Sequence, residues 1–298
     1  MKENIEVISM DVGLENCLLK IEKQYQKEEV TTAWRCDALS TGYNDVDKKT
    51  GGISKGLTVI AGRPLNHHAM FHRNIIENIL LDLNNEECIL HFESDLNIDS
   101  FYRRVVSSIS RVDYSALESG KIDDESWSRI SATMGILMEK QNLFIHGKST
   151  YIEDIQDVID TVELDGKRVS VISISSIHNL KTKDRYESRY AEVCAISKKL
   201  KAMAIDLNIY LIVGSNVNRK CEERADKRPL IWDLRDSGTL EEDANTIMFC
   251  YNNEVYGENN FGVAEVIIAK NDFGERSISK LFCNSQYSRF DNFLGVIG

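Results

Sequence analysis

Proline and clustered cysteine are both scarce in this chain. Only Pro64 and Pro229 occur in 298 residues, and 42% of the residues are hydrophobic, which favours a compact globule over a linker-rich protein. The seven cysteines form no C-x-x-C pair, so neither a zinc centre nor a disulfide framework is predicted, and we expect a reduced, cytoplasmic setting. No apolar run is long enough to cross a bilayer and the N-terminus does not resemble a signal peptide, so we expect no membrane partner.

Positive charge is also in deficit. Lysine and arginine total 36 against 47 aspartates and glutamates, which gives a net charge of −11. This balance argues against a simple nucleic-acid coat protein. It leaves open a local basic surface on an acidic body.

Short apolar runs alternate with helical patterns from about residue 40 onward. The predicted strands are LTVIA (57–61), CILHF (88–92), LFIH (143–146), VSVISI (169–174), IYLIVG (209–214), TIMFCY (246–251) and AEVIIA (264–269). Helical spacing predicts helices at 125–141, 152–164 and 187–207. Nearly continuous apolar strands that alternate with helices predict an α/β fold with a mostly parallel central sheet flanked by helices.

A separate short helix is predicted before this body. Residues 13–27 place Leu14, Leu18, Ile21 and Tyr25 on one face, and a polar stretch follows. We therefore divide the chain into an N-terminal linker helix and connector (1–39) and a main domain (40–298).

Two long segments carry a family resemblance. TGYNDVDKKTGGISKGLTVIAGRP (41–64) and KRPLIWDLRDSGTLEEDANTIMFCYNNEVY (227–256) resemble the motor domain of DnaB-type replicative DNA helicases, and segments 188–209 and 214–220 fit between them in order. The similarity spans roughly residues 12–292. It implies a RecA-like P-loop NTPase fold, preceded by the family's linker helix, which packs on the next subunit of a six-membered ring. We expect the family's N-terminal collar domain to have no counterpart here.

The stretch AGRPLNHHAMF (61–71) occupies the phosphate-loop position. The P-loop pattern G-x-x-x-x-G-K-[ST] supplies lysine to the terminal phosphates and a hydroxyl to magnesium. In that frame His67 replaces the second glycine, His68 replaces the lysine and Ala69 replaces the hydroxyl residue. A left-handed conformation at His67 would cost about 1–2 kcal/mol. The degenerate loop comprises Gly62, Arg63, Pro64, His67, His68 and Ala69.

Two further nucleotide-handling positions depart from the family pattern. Ser173 stands where the resemblance places a magnesium-coordinating aspartate. In IIAKNDFGERS, Lys270 is retained, but Asp272 stands where the family has an arginine that reaches the neighbour's γ-phosphate. Arginine fingers contribute about 10³–10⁵ in rate, so we expect no catalytic activity and no bound cofactor.

Some family positions do remain. Glu93 falls near the water-activating glutamate, although a solvated acid at a strand end is an equal alternative. Asn216 stands where a γ-phosphate-sensing glutamine is expected. For Arg235 and Asp236 we favour a structural ion pair.

The histidines and one loop offer alternative chemistries. His68 and His72 have the i, i+4 spacing of zinc ligands, but no carboxylate or cysteine lies close in sequence, so a metal site is a weak alternative to a loop that no longer binds ATP. His91, His146 and His178 are interpreted as ordinary strand-end residues. The loop at 179–189 matches the family's channel-lining loop, and a single-stranded DNA contact and a plain solvated loop are equally supported there. Its candidate DNA-binding residues are Lys181, Lys183, Arg185, Tyr186 and Arg189.

The resulting expectation is a catalytically degenerate DnaB-like protein in DNA replication. It would act as a non-catalytic binding or regulatory subunit, through self-association or co-assembly with a DnaB-type helicase, with single-stranded DNA as a further partner. The alternative is an active helicase with a divergent site that uses ATP and Mg²⁺. A histidine-based metal-binding regulator is a weaker third hypothesis.

Overall fold

A single twisted sheet organises the chain. The computed structural model describes residues 9–26, 35, 37–94, 97–164, 166–236, 238–257 and 262–293. Within them the strand order is β3-β2-β4-β5-β1-β6-β7-β8-β9. The strands are β1 Gly56–Gly62, β2 Glu87–Phe92, β3 Leu143–His146, β4 Arg168–Ile174, β5 Tyr210–Asn216, β6 Thr246–Asn252, β7 Val263–Asn271, β8 Ser277–Asn284 and β9 Arg289–Asn292. Strands β1 to β6 pair in parallel, and β6 to β9 pair antiparallel.

Helices cover both faces of this sheet. The helices of the described residues are α1 Met10–Gln26, α2 Asn44–Thr50, α3 His68–Asp82, α4 Ile98–Ser110, α5 Tyr114–Ser119, α6 Asp124–Glu139, α7 Ile155–Glu163, α8 Arg189–Asp206 and α9 Leu240–Asp243, and α1 is not among those packed on the sheet. Successive strand residues point to opposite faces. Val59 joins the core under α7 and α8, whereas Ile60 joins the core under α3. Both faces are therefore buried, as expected for a parallel sheet.

The seven predicted strands and three predicted helices are confirmed, with ends shifted by a few residues. Strands β8 and β9 and helices α2, α4, α5 and α9 were not predicted from the sequence. The α/β class with a mostly parallel sheet is also confirmed.

The N-terminal helix is present and extends over Met10–Gln26, while residue 27 lies outside the described part. Leu14, Leu18 and Ile21 are all exposed. At the end of the connector, Leu39 already pairs with Ile53 of the main domain.

The six cysteines in the described ranges are free thiols, in line with the expected absence of a disulfide framework. No described helix combines the length and apolarity that crossing a membrane requires.

Candidate functional site

The loop after β1 has the path of a phosphate loop. Strand β1 ends at Gly62, and α3 begins at His68 without a side-chain cap. His67 takes the left-handed conformation, with φ 59° and ψ 22°, and Leu65 also has a positive φ of 72°. Both are strained for residues with a Cβ. A Cβ on Gly62 would lie 2.9 Å from Cβ of His68, so the loop needs glycine there.

The side chains of this loop offer little to a phosphate. Arg63 is turned away, because its Nε contacts Oε1 of Glu222 at 3.0 Å and its Nη1 donates to the carbonyl of Val217 at 3.2 Å. Pro64 is exposed. Any other cation of the loop would have to come from its histidines.

Those histidines are neutral at physiological pH. Burial lowers the pKa of His68 to about 4. Burial also lowers the pKa of His67, and Glu254 opposes this shift. Ala69 is exposed and carries no side-chain oxygen. The loop thus presents neither a fixed ammonium nor a hydroxyl to a nucleotide.

A buried hydrogen-bond network lies under this loop. Oγ of Ser173 contacts Nε2 of His72 at 3.0 Å and Nδ1 of His91 at 2.8 Å, and Nε2 of His91 lies 3.5 Å from Oε2 of Glu93. All four side chains are buried. The serine hydroxyl has one proton, so it donates to one imidazole and accepts from the other. Burial, followed by the neighbouring His91, lowers the pKa of His72 to about 3. We call His72, Ser173, His91 and Glu93 the histidine–serine network.

The network corrects the interpretation of His91 as an ordinary strand-end residue, because its two ring nitrogens join Ser173 to Glu93. It also shows that Glu93 is buried and not a solvated acid. A signal for the contact was present in the sequence. His91 and Ser173 occupy equivalent places near the ends of two strands, and these strands pair in parallel with His91 opposite Ser173.

A cleft of about 440 Å³ opens beside the network. It is bordered by the loop residues His67 and His68 and, on the α4 side, by Phe101 and Arg104. The cleft beside the phosphate-loop position is therefore not closed by bulky side chains. Among the described residues, no three His, Cys, Asp or Glu side chains are grouped as a metal ion would require.

Asn216 lies at the same edge of the sheet. It is opposite Gly62 in the β1–β5 register, and its carbonyl accepts a 2.9 Å hydrogen bond from the amide of Arg235. Nε2 of His178 lies 3.5 Å from the amide nitrogen of Asn216. Burial, followed by the charge of Arg235, lowers the pKa of His178 to about 4. The predicted ion pair of Arg235 with Asp236 is confirmed, at 3.1 Å.

Lys270 and Asp272 lie at the opposite edge. Asn271 at the end of β7 is opposite Thr246, and Thr246 is opposite Thr58, four residues before Gly62. At about 3.3 Å per residue, that separation is about 13 Å. Oδ2 of Asp272 accepts from Nδ2 of Asn245 at 3.2 Å. Asp272 therefore cannot complete the phosphate loop of its own chain.

Lys270 is also engaged within its own chain. Its Nζ donates to the carbonyl of Glu241 at 2.9 Å and lies 3.6 Å from Oδ1 of Asp272. The ammonium of Lys270 is therefore partly neutralised by the carboxylate of Asp272.

Two cationic side chains of the loop proposed to contact DNA form ion pairs within the chain. Lys183 is paired with Asp154, and Arg189 is paired with Glu192 at 2.7 Å. Arg189 also donates from Nη2 to two carbonyls, at 2.6 and 2.9 Å. Lys181, Arg185 and Tyr186 are exposed. Three of the five predicted side chains thus remain available on this loop.

Comparison with known proteins identifies the family. The profile of the DnaB-like helicase C terminal domain matches residues 38–292. The replicative DNA helicase DnaB of Buchnera aphidicola subsp. Baizongia pistaciae is 36% identical over 98% of this chain and 61% of its own length. That of Haemophilus influenzae is 32% identical over 94% of this chain and 61% of its own length. The chain thus spans about three fifths of these relatives.

Comparison with solved structures supports the same family. An isolated ATPase domain superposes with a TM-score of 0.86 at 25% identity, covering 97% of this chain and all of that one. A DnaB-like replicative helicase studied for its interactions with primase gives 0.83 at 25% identity, covering 97% of this chain and 68% of that one. This chain belongs to the DnaB-like helicase C-terminal domain family.

Proposed function

We propose that this chain acts in DNA replication as a non-catalytic DnaB-like subunit that binds and regulates a replicative helicase. The observation that carries the proposal is the histidine–serine network. Where the family resemblance places a magnesium-coordinating carboxylate, a serine hydroxyl is held between two imidazoles. A neutral hydroxyl with both hydrogen-bonding directions engaged is a poor ligand for Mg²⁺, which prefers carboxylates, water and phosphate oxygens.

The phosphate loop supports the same function. A P-loop lysine contributes a point charge at the β- and γ-phosphates. His68 is neutral at pH 7, because its pKa is about 4. Removal of one pre-organised charge-stabilising group commonly lowers rate by about 10²–10³. With Ala69 also unable to bind magnesium, both groups that would hold ATP–Mg²⁺ are missing.

The competing function is an active helicase with a divergent site. The open 440 Å³ cleft and the buried Glu93 beside it favour that alternative. Binding of ATP therefore separates the two functions.

Thermal unfolding with and without millimolar ATP–Mg²⁺ is the first test. A ligand at about 100 times its Kd stabilises a fold by about 2.7 kcal/mol, which raises Tm by about 5–10 °C for a domain of this size. We expect no rise for the natural chain. The matched control is the variant H67G/H68K/A69T/S173D, which restores the family's residues. A clear rise for the natural chain would overturn the proposal, and ATP turnover would establish the competing function.

The second test addresses regulation. In a ring whose sites are shared between neighbours, one copy of this chain would bring His68 to its own site and Asp272 to the adjoining one. If copies made up about a tenth of randomly mixed subunits, only about half of six-membered rings would contain none. Titration into the unwinding assay of a DnaB-type helicase should therefore inhibit at substoichiometric amounts.

Asp272→Arg is the diagnostic variant for this test, because it returns a cation to the neighbour's site and should relieve part of the inhibition. Lys270 is unchanged in this variant, so the charge differs from that of the natural chain at position 272 only. Unwinding that is unaffected at equimolar protein, with no mixed complex in native mass spectrometry, excludes co-assembly.

A further inference from the structure

A second pocket lies at the carboxyl ends of the neighbouring strands β3, β2 and β4. Its volume is about 340 Å³, which is in the range of small-ligand sites. Residues 93–94, 147–149 and 178–181, which follow the three strands, form its walls, and Arg189 at the start of α8 completes them. In open α/β sheets, ligands bind outside the carboxyl ends of the strands. We call this site the β3 pocket.

Three cationic side chains and one carboxylate line the β3 pocket. The cations are Lys148, Lys181 and Arg189, and the carboxylate is Glu93. Glu93 is 5% exposed, and its Oε2 lies 3.5 Å from Nε2 of His91, so this acid is engaged with the histidine–serine network. On a chain of net charge −11, the pocket is therefore locally positive.

Lys148 and Lys181 are available to a ligand. Both side chains are exposed, and among the described residues neither lies within ion-pair distance of a carboxylate. Lys183, two residues farther along the same loop, is instead paired with Asp154. The two unpaired ammonium groups therefore keep their charge for an anion that enters the pocket.

Arg189 has a different part in this pocket. Its Nη1 pairs with Glu192 at 2.7 Å, and its Nη2 donates to the carbonyls of His178 and Leu180 at 2.6 and 2.9 Å. The guanidinium therefore fixes the segment that carries Lys181.

The turn after β3 carries donors of the kind that bind phosphate. Its sequence, Gly147-Lys148-Ser149-Thr150, is the order that ends a P-loop. It is not itself a P-loop, because Asn142 stands five residues before Gly147, where that pattern has glycine. Ser149 is exposed, and within the described ranges neither its hydroxyl nor its amide donates to another group. Both can donate to an anion.

Hydrogen bonds hold this turn against the segment that carries Lys181. The amide of Lys181 donates to the carbonyl of Thr150 at 3.1 Å, and the amide of Ile152 donates to the carbonyl of Lys181 at 2.8 Å. Oγ1 of Thr150 donates to the carbonyl of Lys148 at 2.9 Å. Because the two lysines are carried by backbone segments that are bonded to each other, less conformational entropy is lost when a ligand binds between them.

We propose that the β3 pocket binds a phosphate dianion, either free or as the monoester of a small molecule, through Lys148, Lys181 and Ser149. A phosphate monoester carries about two negative charges at pH 7, which the two ammonium groups balance. Lysine binds phosphate as a point charge, and serine adds a hydrogen bond. A nucleic-acid backbone offers a single charge at each phosphate and needs an open groove, whereas three loops and Arg189 enclose the β3 pocket. The proposal does not rest on whether the chain binds ATP.

Isothermal titration calorimetry of the full chain with inorganic pyrophosphate, in metal-free buffer of low salt, tests the proposal. We expect saturable binding by the natural chain. Lys148→Gln and Lys181→Gln should each weaken the Kd by about 10- to 100-fold, because each removes a contact to a charged group. Ser149→Ala should weaken the Kd by about 3- to 10-fold without a change in charge.

Lys183→Gln is the matched control. It removes the same charge from the same loop, but Lys183 is paired with Asp154 and does not line the pocket. We expect its Kd to equal that of the natural chain. Circular dichroism confirms that each variant is folded.

Two further measurements locate the anion and identify its source. Pyrophosphate should shift the amide resonances of residues 147–149 in ¹H–¹⁵N spectra and leave those of residues 66–69 unchanged. Inorganic phosphate and glycerol 3-phosphate are then titrated in the same way. Binding of glycerol 3-phosphate that depends on Lys148 supports a site for phosphate esters, whereas binding of the inorganic anions alone supports a site for free phosphate.

No saturable binding of any of the three anions, or an equal loss of affinity in Lys183→Gln and Lys148→Gln, would overturn the proposal. Shifts confined to residues 66–69 would place the anion at the phosphate-loop position and would also overturn it. Displacement of pyrophosphate by an oligo(dT) without a terminal phosphate would assign the lysines to a nucleic-acid path instead. The Tm response to ATP–Mg²⁺ concerns a different ligand and a different cleft, so the two proposals fail separately.

Discussion

Lowering the pH should destabilise this protein through His72 in particular. The His72 side chain is 3% exposed and bonded to Ser173, and it faces His91, with Glu93 beyond, His68 one turn earlier and Arg73 adjacent. Its pKa is about 3 in the folded chain, against 6.5 for an ordinary histidine. The perturbation is a change from pH 7.5 to pH 5.5, compared between the natural chain and His72→Gln.

The sign and the size of the pH effect on the free energy of unfolding follow from proton linkage. At pH 5.5 the unfolded chain protonates this histidine and the folded chain does not, so the unfolded state gains stability. The stability is fully present above pH 6.5 and is lost as pH falls towards the folded pKa of about 3. One pH unit below the unfolded pKa, the loss is about 1.4 kcal/mol. Glu93 opposes this shift but does not reverse it.

Urea denaturation at the two pH values measures the effect. We expect the free energy of unfolding to fall by about 1.4 kcal/mol more in the natural chain than in His72→Gln, because glutamine does not titrate. The absolute stability of the variant is not the readout, because it loses packing as well. His146→Gln is the comparison, since His146 contributes no bond to the network and burial also lowers its pKa, so it shows the effect of a histidine outside the network. Identical pH dependence in the natural chain and His72→Gln would refute the neutral, buried state of His72.

Two further outcomes are expected. Substitution of both Leu14 and Leu18 by glutamate should weaken self-association or helicase association about 100-fold. Each leucine that is buried in such an interface contributes about 1.5–3 kcal/mol. Light scattering that shows an unchanged mass would contradict the linker-helix interpretation. Glu77→Leu should lower the free energy of unfolding by about 3–5 kcal/mol, because Arg73, 3.0 Å away, would be left buried without its partner. Asp45→Ala, which breaks an exposed pair, should lower the free energy of unfolding by less than about 1 kcal/mol.

The parallel strands were predictable because burial on both faces makes them continuous apolar runs. Strand β8 was not, since its hydrophobicity does not follow its burial: Ser279 is buried, whereas Ile278 and Phe282 are exposed. Helix α4 escaped for a related reason. It buries Phe101 and Val105 one turn apart, and Ser107 and Ser108 lie buried beside them, so its buried side is not a continuous apolar run.

The sequence identified which positions of the site differ from the family pattern, but not the hydrogen-bond network that their side chains form. Ser173 and His91 could have been paired from strand register, because both precede the ends of adjacent parallel strands. The bond from Ser173 to His72 could not, since it depends on how α3 lies over the sheet.

The substitutions at the nucleotide site are physically coupled. An aspartate at position 173 would be fully buried between imidazoles, and a lysine at position 68 would be half-buried with no phosphate to neutralise it. Without ATP–Mg²⁺, a carboxylate at position 173 would be buried with no metal ion to neutralise it and would destabilise the fold by several kcal/mol, whereas a half-buried lysine at position 68 would cost less. A serine at position 173 that is hydrogen-bonded to two neutral histidines occupies this buried position without a charge. If the chain binds no nucleotide, as proposed above, loss of these charged groups stabilises the fold, and the groups should therefore be restored together and not singly.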